Sequence, residues 1–86
     1  MLVDDRTLVL AKLMDVASLR ARVHAANIAQ VDTPGYRARA VRFEDAFQKA
    51  LSRDGVGSAL RVAPEVYEPR ATALDNDGND VSMDRE

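Results

Sequence analysis

Val9, Leu13, Val16, Leu19, Val23 and Ala26 recur at steps of four, three, three, four and three, a rhythm that only an α-helix turns into one face. Asp4 or Asp5 supplies an N-cap carboxylate beside the positive end of the helix dipole, and Pro34 sets the far limit. The spacing therefore predicts a helix from about Asp5 to Asp32. At about 1.5 Å per residue it extends roughly 40 Å. A rod of that length cannot fold back on itself, so its stripe predicts a second apolar surface, most simply another helix.

The rest of the chain provides only short elements. Phe43, Ala46, Phe47, Ala50 and Leu51 fall at i, i+3, i+4, i+7 and i+8, which predicts an amphipathic helix from Val41 to Arg53. Glu44 and Asp45 lie near its start and Lys49 and Arg53 near its end, matching the dipole, and Gly55 suits a left-handed cap. Phe43, Phe47, Ala50 and Leu51 are the expected core of this middle region. After Gly55-Val56-Gly57-Ser58, the segments Leu60-Arg61-Val62-Ala63 and Val66-Tyr67-Glu68 alternate like strands, while Pro64 and Pro69 keep them short. The expected architecture is mainly α: a long N-terminal helix, a second short amphipathic helix, then a short β-hairpin or irregular extended segment. Two regions follow from this, 1–36 and 37–86. The second holds the helix near 41–53, the extended segment 60–74 and an acidic loop 75–86.

With 86 residues and four aromatic side chains, the chain supports one small domain that buries little surface. It has no cysteine, hence neither a disulfide staple nor a thiolate metal site. Stability is expected to come from a partner. The net charge of −2 is unevenly spread: residues 1–53 carry nine Lys/Arg against six Asp/Glu, and residues 54–86 three against eight. Opposite ends of neighbouring copies can therefore attract. No apolar run approaches the roughly 20 residues of a membrane span. Met1-Leu2-Val3-Asp4-Asp5 has neither the basic nor the apolar region of a cleaved secretory signal.

The helix stops at a turn. Pro34 lacks an amide hydrogen and disfavours helical geometry at Thr33, Gly35 tolerates positive φ, and Asp32 and Thr33 can bond nearby backbone. Taken alone, this is a helix stop before a loop. The whole stretch Asn27-Ile28-Ala29-Gln30-Val31-Asp32-Thr33-Pro34-Gly35-Tyr36, however, resembles the Asn-Ile-Ala-Asn-x-x-Thr-Pro-Gly-Tyr signature of bacterial flagellar axial proteins, the rod and hook subunits. Gln30 replaces the second Asn with a longer amide. Arg37-Ala38-Arg39-Ala40-Val41-Arg42-Phe43-Glu44 resembles the segment that follows in proximal rod subunits. Asp77-Gly78-Asn79-Asp80-Val81, with Glu86 beyond it, resembles their Asp-Gly-Asn-x-Val-x-x-x-x-Glu segment. The resemblance runs from about residue 8 to residue 86.

That resemblance implies a structural subunit of the flagellar basal-body rod, without catalytic activity or cofactor. It implies export through the flagellar type III channel, with no cleaved signal peptide, and assembly in the periplasm. The partners implied are other rod subunits, basal-body and export-gate proteins, and further copies of the chain, with no nucleic acid. Val9, Leu13, Val16, Leu19, Val23 and Ala26 would form the assembly interface, pairing in a coiled coil with a C-terminal helix that the family carries beyond the point corresponding to Glu86. Without that helix, the stripe is expected to pair with copies of itself or to fray.

Other chemistry is less well served. Asp75, Asp77, Asn79 and Glu86 occupy positions 1, 3, 5 and 12 of a calcium-binding loop, but Asp80 sits where glycine is needed, and Pro64 and Pro69 spoil the entering helix. Arg20, Arg22, Arg37, Arg39 and Arg42 gather about the helix-turn, as phosphate-binding residues do, yet the chain is acidic overall. A calcium- or nucleic-acid-binding adaptor is the alternative these features leave. His24, the single histidine, has no serine or cysteine nucleophile nearby in sequence, which argues against hydrolytic catalysis.

Overall fold

A computed structural model describes residues 3–69. Helix α1 spans Asp5–Ala29, and Asp4 caps it, its Oδ1 accepting the Thr7 amide at 2.9 Å. Strand β1 (Ala40–Arg42), helix α2 (Glu44–Asp54), helix α3 (Val56–Leu60) and strand β2 (Glu65–Tyr67) follow. The mainly helical class agrees with the sequence expectation.

Local boundaries differ from it in four places. The first helix ends at Ala29 rather than near Asp32, because residues 30–32 already form the turn. The second helix begins at Glu44 rather than Val41, because Val41 and Arg42 lie in β1, and Phe43 leaves helical geometry at φ −156°. Residues 56–60 form α3, so Leu60, expected to open the strand-like segment Leu60-Arg61-Val62-Ala63, ends a helix instead, and no strand follows until β2. Gly57 weakens such a helix by about 1 kcal/mol relative to alanine, and the complete burial of Ala59 offsets that cost. Among the described residues the extended segment pairs with an earlier strand: β2 lies antiparallel to β1, with Ala40 opposite Tyr67, Val41 opposite Val66 and Arg42 opposite Glu65. Its partner sits on the far side of two helices in sequence, beyond the reach of any local turn signal.

These elements enclose one small core. Val16 from α1, Phe43 and Phe47 from the start of α2, and Ala59 from α3 are buried, with Val9, Val41, Ala50 and Val62 packed around them. The phenylalanine rings lie 5.0 Å apart and tilted by 32°, and the Lys12 ammonium sits 5.9 Å from the Phe43 ring centre. Leu51, expected in this core, lies at its rim and is 39% exposed. Gly55 joins α2 to α3 at φ 88° and ψ −174°, a backbone conformation nearly confined to glycine. It permits the sharp change of direction that folds α3 back against α2.

Helix α1 therefore finds a complement within its own chain, although a small one. Among the described residues it packs against β1 and α3.

Candidate functional site

The turn after α1 is held by one side chain. Asn27 donates from Nδ2 to the Arg39 carbonyl at 2.8 Å, while its Oδ1 accepts the Arg39 amide at 2.9 Å and the Tyr36 hydroxyl at 2.9 Å. An amide side chain carries the donor and acceptor of a peptide group. Asn27 uses both to extend strand-like pairing from the last turn of the helix to the residue before β1. Between these anchors the chain makes tight turns: the Thr33 amide donates to Gln30 O at 2.9 Å, and the Tyr36 amide to Thr33 O at 3.1 Å. Gly35 takes φ 81°. The Thr33 hydroxyl donates to Gln30 Oε1 at 2.7 Å, so the longer amide at position 30 has a partner within the turn.

A second tie lies nearer the middle of α1. Arg20 grips Glu44 with two hydrogen bonds of 2.9 Å and also donates to the Val41 carbonyl at 3.3 Å. One guanidinium thus joins α1 to β1 and to the first turn of α2. The hydrogen bond from Arg20 holds the Glu44 carboxyl below its ordinary pKa and raises that of Arg20. On the sheet, Arg42 pairs with Glu65 at 3.1 Å and lies 3.7 Å over the Tyr67 ring.

With α1 oriented in this way, its stripe divides. Val16 is buried and Val9 is packed on the core, Leu19 and Val23 are half-buried, and Leu13 and Ala26 are exposed. Leu8, Leu10 and Met14, all outside the expected stripe, are exposed as well. Val9, Leu10 and Leu13 meet Leu51 and Val56 along an open apolar groove, with Asp5 and Arg6 at one end. At the other end of the helix, Ile28 and Val31 are each 74% exposed beside the turn. The sequence pattern missed Leu10, because a stripe drawn at steps of three and four continues through Leu13 and omits its neighbour. The outward leucines at 8 and 10 carried the only signal.

Chemistry beyond packing has little support among the described residues. No group of three His, Cys, Asp or Glu side chains is placed to hold a metal ion there, and no helix is long and apolar enough to cross a membrane. His24 is exposed on α1. The matches at Asp77, Gly78 and Asn79, the loop 75–86 and the calcium-loop positions lie outside the described residues.

No family model and no solved structure matches the chain. Individual proteins do. The flagellar basal body rod protein FlgB of Borrelia hermsii is 31% identical over 93 aligned positions, which cover 87% of this chain and 69% of that protein. FlgB of Escherichia coli K12 is 31% identical over 90 positions, covering 85% of this chain and 65% of its own length. FlgB of Aeromonas hydrophila is 44% identical over a shorter stretch of 46 positions, 54% of this chain and 35% of that protein. Even the broader matches span only about two thirds of their relatives.

Proposed function

This chain belongs to the FlgB family of flagellar basal body rod proteins, and from that premise we propose that it is a structural subunit of the basal-body rod, with no catalytic role. The family match across 87% of the chain carries this reading. The structure adds a physical reason for polymerisation: among the described residues, only Val16 of this 25-residue helix is buried. Its exposed Leu10 and Leu13 gain roughly 1.5–3 kcal/mol each when a neighbour covers them fully.

The proposed seam is not the whole stripe. Val16 and Val9 serve the internal core, leaving Leu10 and Leu13, with Leu51 and Val56 across the groove, as the assembly surface toward helices of the rod. Half-buried Leu19 continues that surface along the helix. Pairing in a coiled coil with the C-terminal helix implied by the family, and with neighbouring rod subunits, completes the burial. The Asn27 clamp sets where the rest of the chain departs from this seam. Delivery through the flagellar export channel to the periplasmic side, and contact with basal-body and export-gate proteins, complete the proposal.

The test is Leu10→Asp with Leu13→Asp in a motile host lacking its own copy. Rod assembly and motility should be lost, while the isolated chain keeps its helical circular dichroism and its Phe43–Phe47 ring contacts. Normal assembly by a folded double variant would refute the seam.

A further inference from the structure

Beside the turn lies a second groove, distinct from the leucine surface. Val23, Ala26 and Val66 line it with apolar surface, and Arg22, Tyr36 and Arg39 complete its walls. Among the described residues, neither arginine has an ion-pair partner: the two salt bridges there belong to Arg20–Glu44 and Arg42–Glu65. Among those residues, Arg22 donates to the Ser18 hydroxyl at 3.2 Å, and Arg39 meets Asn27 through its backbone and not through its guanidinium. Apolar surface flanked by two cations suits a segment that presents an apolar side chain followed by carboxylates.

The chain carries such a segment immediately downstream. Leu74 is followed by Asp75, Asp77 and Asp80, and residues 70–86 hold five acids against two arginines. The sheet directs the backbone toward the groove. With Ala40 opposite Tyr67, one further step of the same register sets Glu68 opposite Arg39. From Pro69 to Leu74, five residues extend at most about 18 Å at ~3.3–3.6 Å each, enough to pass alongside the last turns of α1. A tether this short places the segment at an effective concentration near the millimolar range, which favours the same chain over a second copy.

We propose that this groove is the docking site of the chain's own segment 74–80, with Leu74 on the apolar floor and the carboxylates of Asp75 and Asp77 facing Arg22 and Arg39. This contact is independent of the rod seam and forms within a single molecule. It fastens this acidic segment to the cationic side of the Thr-Pro-Gly turn.

The absence of cysteine makes the test direct. A nitroxide attached to Asn79→Cys should broaden the methyl resonances of Val23 and Val66 and the Ala26 amide in dilute protein. Leu10 and Leu13, on the other groove, should be spared. Arg22→Glu with Arg39→Glu, or about 1 M salt, should remove most of that broadening, with the Phe43 and Phe47 ring shifts unchanged to show that the fold persists. Leu74→Ser offers a second route to the same loss without altering charge. No selective broadening, or broadening indifferent to the arginines, overturns the proposal. So does broadening seen only when labelled chain is mixed with isotope-enriched, unlabelled chain, which would assign the groove to a second copy.

Discussion

Replacing Asn27 by alanine should unfasten the turn from α1 while leaving the hydrophobic core untouched. Three hydrogen bonds of 2.8–2.9 Å are lost, two of them to the backbone of Arg39. Each such bond is worth about 0.5–1.5 kcal/mol net. Arg39 is exposed and Asn27 only half-buried, so water re-satisfies part of what is lost, and the lower end of that range applies. The expected destabilisation is about 1–2 kcal/mol. In a domain this small, 1 kcal/mol shifts Tm by roughly 4–8 °C, so thermal unfolding followed by circular dichroism should fall by about 5–15 °C. Tyr36→Phe removes one hydroxyl donor and should cost less than half as much. The double variant should be less destabilised than the sum, since Tyr36 and Asn27 share a bond. The Arg39 amide should exchange with solvent much faster in Asn27→Ala, while amides in mid-α2 keep their protection relative to global stability. An unchanged Arg39 exchange rate, with a Tm within error of wild type, would refute the clamp.

Phe47→Ala opens the centre of a core that has few other members and should cost about 3–5 kcal/mol in urea unfolding, whereas Leu51→Ala at the exposed rim should cost much less. Gly55→Ala brings no atom within 4 Å of the added carbon, so its cost is backbone strain alone, about 1–3 kcal/mol, and should appear as lower thermal stability with an unchanged core. For the Arg20–Glu44 tie, the folded-state pKa of Glu44 lies below its unfolded value. The resulting stabilisation is full above the unfolded pKa and is lost as pH falls through the folded one. Arg20→Gln should therefore lower stability near neutrality and flatten the acid limb of the stability profile. Parallel acid limbs for the two proteins would show that the tie contributes nothing.

The period of α1, its start at the Asp4 cap and the turn at Pro34-Gly35 are local properties of the chain, set by side-chain spacing and by backbone freedom within a few residues. The pairing of Phe43 with Phe47 was legible for the same reason, because residues four apart on a helix meet. The family signature also lay in the sequence, but not the reason for its asparagine. That reason is a contact twelve residues away, created when the turn reverses the chain. Distance likewise hid β2: nothing near Glu65–Tyr67 names Ala40–Arg42 as its partner, and only packing of α2 and α3 between them brings the strands together. Tertiary structure also decided how the apolar stripe is shared. A periodic pattern shows which residues avoid water, whereas the position of β1 and α3 against α1 determines that Val16 is buried and Leu13 remains exposed.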